Sequence, residues 1–370
     1  MNGAFQRDQL EILAARAKAG RISRRDFNLG LAMLLGSSAL GLAGRADAQT
    51  KELVMVNWGG DAMTAYDAAY GKPFQEETGI TVRLDGSGPT EGAIQAQVES
   101  GSPTWDVVDV DAFSAEALGK RDIMQKIDYN VVDKTKFREG FGWEYASSSY
   151  FFSYVIAYDS TKYGDNPPKN LKDFFDTENF PGKRALYKWG TGVWEALLLA
   201  DGVGRDQLYP LDIPRAHKKL AAFKEHVVGY WGGGSESQSL LLEGEASMAI
   251  IWSTRGRLIE EDSGGDVKFI WTDGMISPGS LGVLKGNPGG TEAAMQFLAS
   301  VQAPEKQVVM FNMLGQGPAN PAADALIPAE DARFNPVAAE NAAGQIPLDM
   351  AWYEEHYGPT LDEYLKIISA

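Results

Sequence analysis

Short apolar runs alternate with amphipathic segments along the chain from residue 51 onwards. Residues 51–58 form an apolar run that stops at a glycine pair, as a buried parallel strand followed by a loop does. In segment 62–77 the apolar residues recur at intervals of three and four, which predicts a helix that Gly79 ends. The same reasoning predicts a strand over 80–84, a helix over 91–100 and a strand over 105–110. This β-α-β-α-β series predicts a parallel sheet with helices on its faces.

The later part of the chain repeats this alternation around a continuous aromatic run. Residues 150–158 are suited to a strand that crosses between two lobes. Further predicted helices and strands follow: helices over 171–175, 193–199, 214–224 and 292–301, a helix that ends at 240–244, and strands over 183–187, 248–252, 267–271 and 282–285. The Pro/Gly/Asn segment 315–321 is expected to return to the first lobe. The predicted fold class is doubly wound α/β.

The first 48 residues read as an export signal. A basic stretch ends in the paired Arg24 and Arg25, an apolar run covers 29–42, and Ala46-Asp47-Ala48 has the small-x-small pattern of a cleavage site. The alternative is a membrane anchor, but the run falls short of the ~20 residues that span a bilayer. We therefore expect a twin-arginine signal peptide, cleaved after Ala48, and a periplasmic mature protein.

Composition narrows the possible chemistry. The 370 residues include no cysteine and only three histidines, and the formal net charge is −16. The absence of cysteine excludes disulfides and thiolate metal sites, and the few histidines stand at no ligand spacing. The acidic balance argues against nucleic acid, whose binding relies on Lys and Arg. The length suits two domains, and we expect no cofactor or metal.

Motifs for catalysis are absent from the sequence. There is no nucleophile elbow, Walker loop or His-Glu-x-x-His pair. Gly232-Gly233-Gly234-Ser235 follows no clear strand and is interpreted as a flexible loop. Asp109 and Asp111 would share a strand face that could bind a cation, although an acidic loop at a strand end is the simpler interpretation. An exported hydrolase or lyase that uses carboxylates in an interlobe cleft stays an alternative.

Four segments in order carry a family resemblance. They are 74–82 (FQEETGITV), 105–108 (WDVV), 123–128 (IMQKID) and 244–252 (GEASMAIIW). The chain resembles the extracellular solute-binding proteins of bacterial ABC transporters, in particular their spermidine/putrescine-binding branch, over essentially the whole mature length. The resemblance implies a non-enzymatic, two-lobed periplasmic-binding-protein fold: each lobe is a mainly parallel sheet flanked by helices, with the ligand cleft between them.

The resemblance also implies boundaries and partners. Lobe 1 would comprise 49–153 plus 274–318, and lobe 2 would comprise 154–273 plus 319–370. The closed form would deliver its solute to an inner-membrane permease and its ATPase, and we expect a monomer.

Positions in the family suggest which residues face the cleft. Trp58 and Trp252 stand where polyamine binders place stacking tryptophans. Asp111 and Phe113 lie in a loop that supplies polar and aromatic contacts. Lys188, Trp189 and Trp194 lie where polyamine binders carry carboxylates, and the crossover strand has Ile276-Ser277-Pro278-Gly279 where polyamine binders show an acidic pattern. These departures favour a zwitterion over a long polycation.

The expected chemistry is an aromatic cage with one charged group at each end of the ligand. Trp58, Trp252 and Trp189 would hold an ammonium group by cation–π attraction, and Asp111 or Asp349 would neutralise it. Arg255 would grip a carboxylate. The simpler interpretations are core tryptophans, helix-capping aspartates and an Arg255 that pairs with a surface carboxylate such as Glu260. We expect an omega-amino acid or a betaine, with a polyamine as the alternative.

Overall fold

The structure, a computed structural model, describes residues 51–370. The predicted signal peptide at 1–48 lies outside these residues. The part that the structure describes contains one sheet of eleven strands. The strands are β1 Glu52–Val56, β2 Thr81–Asp85, β3 Val107–Asp111, β4 Met124–Gln125, β5 Ser147–Asp159, β6 Arg184–Tyr187, β7 Val227–Trp231, β8 Met248–Trp252, β9 Val267–Leu284, β10 Gly317–Pro318 and β11 Ile346–Pro347.

Two parallel regions flank an antiparallel pair in the centre of the sheet. The strand order is β2-β1-β3-β9-β5-β8-β6-β7. Strands β2, β1 and β3 run parallel to one another, as do β8, β6 and β7. The long strands β5 and β9 pair antiparallel and join the two regions. The predicted α/β class is confirmed, and the fold contains two parallel α/β lobes.

Helices cover both parallel regions. The helix after β1 runs as α1 Asp61–Tyr66, a π-helical turn Asp67–Gly71 and α2 Lys72–Thr78. The others are α3 Glu91–Glu99, α4 Ala112–Lys120, α5 Leu171–Phe175, α6 Val193–Ala200, α7 Ile213–Phe223, α8 Gly234–Leu242, α9 Ser253–Asp262, α10 Thr291–Val301, α11 Pro304–Leu314, α12 Ala339–Ala342 and α13 Met350–Ser369. Short 3₁₀ turns lie at Lys134–Lys136, Ser160–Lys162, Arg205–Gln207, Lys224–His226, Pro321–Leu326 and Ala329–Phe334.

The core follows the alternation of side chains along the strands. Leu53 and Met55 of β1 belong to one buried apolar cluster, while Val54 and Val56 belong to another on the opposite face. A third and larger cluster packs α6, α7 and α13 against β5, β6 and β8. Trp194 lies in this third cluster and is fully buried, so it serves the core.

Two predictions of secondary structure were wrong, and several helices were not predicted. The separate strands at 267–271 and 282–285 are parts of the single strand β9, which stays paired with β5 across a bulge opposite 154–156. The Gly232–Ser235 loop does follow a strand, β7, and leads into α8. The helices that were not predicted are α4, α9, α11, α12 and α13. Among the described residues, no helix combines the length and apolar character that crossing a membrane requires.

Candidate functional site

A cleft opens where several parallel strands end. Trp58 follows β1, Asp111 is the last residue of β3, and Trp252 is the last residue of β8. Ligands of open α/β sheets bind at these carboxyl ends. The lining comprises Trp58, Gly59, Ala62, Asp109, Val110, Asp111, Tyr150, Phe152, Tyr154, Tyr187, Trp252, Thr254, Arg255, Gly279, Leu314 and Gln316.

Aromatic rings form much of the cleft wall. Tyr150, Phe152 and Tyr154 alternate along β5, and this places their side chains on one face of the strand. The ring of Trp252 contacts Tyr187 edge-on, with 5.5 Å between the centroids, and Trp231 edge-on at 5.1 Å. These contacts fix the Trp252 indole, so the wall is preformed for a cationic or apolar group.

Asp109 is buried at the base of the cleft. Its side chain accepts hydrogen bonds from the hydroxyl groups of Tyr66, at 3.1 Å, and Tyr150, at 2.9 Å. Burial raises the pKa of Asp109 to about 7, although both hydroxyl donors act in the opposite direction. Asp109 therefore lies neither on an exposed strand face nor in an acidic loop, and both interpretations of the sequence were wrong for this residue. Within residues 51–370, no group of side chains is arranged to hold a metal ion.

Asp111 presents a carboxylate without a hydrogen-bond donor among the described residues. It occupies the N-cap position of α4, yet its side chain accepts no bond from that helix. Burial, followed by the charges of Asp109 and Glu91, raises the pKa of Asp111 to about 7. An ammonium group beside Asp111 would favour the ionised carboxylate, because it supplies both a positive charge and hydrogen-bond donors.

Arg255 lines the cleft from the first turn of α9 and has an unexpected partner. Its Nη1 atom donates to Oδ2 of Asp61 at 2.5 Å and to Oε1 of Gln238 at 3.1 Å. Glu260, the suggested surface partner, instead accepts from Arg333 at 2.9 Å. Asp61 begins α1 next to the β1 region, so this ion pair connects the two parallel regions of the sheet.

Four predicted site residues lie outside the cleft lining. Phe113 is buried in the core, with its ring centroid 5.1 Å from that of Tyr353. The Lys188 ammonium lies 5.2 Å from the Trp189 ring on the exposed side, and Trp189 Nε1 donates to a loop carbonyl. Asp349 caps α13, because its Oδ1 accepts from two backbone N–H groups at 3.0 Å. The structure therefore brings together Trp58, Asp111, Trp252 and Arg255 of the predicted set.

Sequence reasoning missed Asp61 and the tyrosines of the wall. The alternating aromatic residues of β5 were a usable signal, since residues two apart on a strand share a face. Asp61 carries no comparable signal, because its partner lies 194 positions away.

Comparison with known proteins agrees with this architecture. The family model for bacterial extracellular solute-binding proteins matches residues 69–336. A gamma-aminobutyric acid-binding protein from Pseudomonas aeruginosa is 30% identical over 325 residues, which covers 86% of this chain and 91% of that protein.

Two solved structures extend the similarity. An ABC transporter substrate-binding protein from Bradyrhizobium japonicum is 33% identical, with a TM-score of 0.80, over 86% of this chain and 99% of that one. The Atu4243-GABA receptor is 36% identical, with a TM-score of 0.78, over 86% of this chain and 97% of that one. The chain belongs to the bacterial extracellular solute-binding protein family and has its two-lobed fold.

Proposed function

We propose that this protein is the periplasmic substrate-binding component of an ABC transporter for a small omega-amino acid of the gamma-aminobutyrate (GABA) class. It would bind the solute without changing it chemically and deliver it, as a monomer, to an inner-membrane permease and its ATPase. Residues 1–48 would direct export by the twin-arginine route. Lobe 1 would comprise 49–153 plus 274–318, and lobe 2 would comprise 154–273 plus 319–370.

The cleft carboxylate of Asp111 carries this proposal. It is half-buried in the cleft, has no donor among residues 51–370, and lies in a lining rich in aromatic rings. Such a carboxylate is costly to keep ionised unless a cation with N–H donors binds it. We assign the ammonium group of the solute to Asp111.

The aromatic wall adds a second source of affinity for the ammonium end. Trp58 and Trp252 both line the cleft, one from each parallel region of the sheet. Cation–π contact supplies about 0.5–2 kcal/mol per ring, with the larger values in desolvated sites. Contacts from both regions are also what closure needs, because a ligand drives closure only through a higher affinity for the closed state.

We assign the carboxylate of the solute to Arg255. Arg255 lines the same cleft and is only 6% exposed. One of its nitrogens, Nη1, donates to both Asp61 and Gln238. A planar guanidinium has five donors, so one edge can bind a further carboxylate. The GABA-binding relative and the Atu4243-GABA receptor support a zwitterion of this length.

A polyamine is the second candidate ligand. Asp61 already compensates the charge of Arg255, so Asp109 and Asp111 leave the cleft acidic on balance. An acidic cleft favours a ligand with two ammonium groups. The sequence resemblance to the spermidine/putrescine-binding branch points in the same direction.

Calorimetric titration of the mature chain separates these ligands. The titrants are GABA, putrescine, n-butylamine and butyrate at pH 8. We expect saturable binding of GABA, weaker binding of n-butylamine and none of butyrate. Arg255→Gln should weaken GABA binding by more than about tenfold and n-butylamine binding by less than about twofold, since charged hydrogen bonds are the strong ones. Putrescine binding in preference to GABA would favour the polyamine, and no binding of any amine would refute the proposed function.

A further inference from the structure

The surroundings of Arg255 form an anion site that a carboxylate of this chain already occupies. Oδ2 of Asp61 lies 2.5 Å from Arg255 Nη1, and the Asp61 side chain is 60% exposed while that of Arg255 is 7% exposed. The carboxylate therefore reaches a buried guanidinium of the cleft from the solvent side.

A second source of positive potential converges on the same point. Helix α8 begins at Gly234, and no side chain caps its free N–H groups. A side-chain carbon at Gly234 would lie 2.1 Å from Arg255 Nε, so the guanidinium packs directly against this helix start. Arg255 Nε is also buried and has no hydrogen-bond partner among the described residues. A helix N-terminus disfavours a cation, and the carboxylates of Asp61 and of Glu236, in the first turn of α8, offset the positive potential here.

The chain segment that carries Asp61 lies against this helix start. A side-chain carbon at Gly60 would lie 3.4 Å from Ser235 Oγ and 3.7 Å from Arg255 Nη2. Gly60 has φ +61°, a left-handed conformation that glycine adopts without strain. The turn before α1 thus places the Asp61 carboxylate within the anion site, where it shares the guanidinium with any carboxylate that a solute brings.

We propose that Asp61 is a specificity-determining residue that sets the charge of the solute. By occupying the guanidinium, it lowers the affinity of the cleft for a carboxylate on the ligand, relative to a neutral or cationic group at the same position. The charge of Asp61 therefore reduces the preference of the cleft for a zwitterion over a solute that is cationic at both ends. This inference rests on the proposed function, since it concerns the end of the cleft that is assigned to the solute carboxylate.

Asp61→Asn tests this proposal because it keeps the shape and removes the charge. The quantity measured is the ratio of the affinities for GABA and putrescine, obtained by calorimetry for each variant. Both ligands have an ammonium group for Asp111 and differ in the charge at the other end. An effect of Asp61 on closure of the lobes would change the affinities for GABA and putrescine by the same factor. The ratio of the two affinities would then stay the same. Asp67→Asn is the matched control, because Asp67 follows in the same continuous helix but pairs with Lys72 outside the cleft.

Asp61→Asn should raise the ratio of the GABA affinity to the putrescine affinity by about tenfold or more. The reason is that it removes a negative charge next to the ion pair between Arg255 and the GABA carboxylate. Asp67→Asn should change this ratio by less than about twofold, as exposed pairs do. Thermal melting of both variants would show that they are folded. If Asp61→Asn leaves the ratio unchanged, including the case in which both affinities fall equally, the proposal is overturned and the proposed function stays intact. A wild-type protein that binds no amine would overturn both.

Discussion

Replacing Asp111 by asparagine should lower ligand affinity and raise stability at the same time. The folded protein holds the pKa of Asp111 at about 7, against an ordinary value of 3.8, because burial and the charges of Asp109 and Glu91 oppose ionisation. At pH 8 the folded state must ionise this carboxylate at a cost that the unfolded chain does not have. Asparagine removes that cost and is still favoured at the N-cap position of α4.

The magnitudes follow from the two roles of the carboxylate. Hydrogen bonds to a charged group are worth about 1.5–3 kcal/mol, so GABA affinity should fall about ten- to hundredfold. A pKa unit corresponds to about 1.4 kcal/mol, so the free energy of unfolding at pH 8 should rise by at least about 1 kcal/mol. That increase would raise the melting temperature by about 2 °C or more.

Calorimetry and thermal melting at pH 8 measure the two effects on the same samples. Asp67→Asn serves as the control: it removes one exposed carboxylate and should change neither quantity appreciably. Unchanged GABA affinity in Asp111→Asn would refute the assignment of the ammonium group. A fall in melting temperature would refute the argument that burial of this charge is costly.

Three further predictions concern the wall, the pH dependence and the capping residue. Trp252→Ala should weaken binding by more than about tenfold, whereas Trp189→Ala, outside the cleft lining, should not change the dissociation constant by calorimetry. The contribution of Asp109 and Asp111 to stability should decrease as pH rises from about 4 to about 7, because over this range the folded state binds more protons than the unfolded state. Melting temperatures across this range should therefore fall less steeply in Asp111→Asn than in the wild type. Asp349→Ala should lower the free energy of unfolding in urea by about 1 kcal/mol and leave affinity unchanged, as loss of a helix cap does.

Local patterns were sufficient for most of the first parallel region. The strand and helix predictions between residues 51 and 110 each depend on apolar periodicity over a short window, and the structure confirms these elements within a few residues. The same method failed at β9, because residues 271–274 bulge out of the pairing with β5 and interrupt the apolar pattern. It also missed α13, which has Pro359 inside it.

The candidate site was predictable only in part. Asp111 and Asp349 look alike in sequence, since each precedes a helix. Only the structure shows that the Asp349 carboxylate accepts backbone bonds while that of Asp111 does not. The partner of Arg255 depends on how two distant segments meet in the fold, which periodicity does not encode.

A crystal structure of the mature chain with GABA would test the central claim most directly. The account predicts that the ligand occupies the cleft, with its ammonium nitrogen about 2.7–2.9 Å from a carboxylate oxygen of Asp111 and its carboxylate on Arg255. GABA bound with its carboxylate towards Asp111, or outside the lining that contains Trp58 and Trp252, would contradict it.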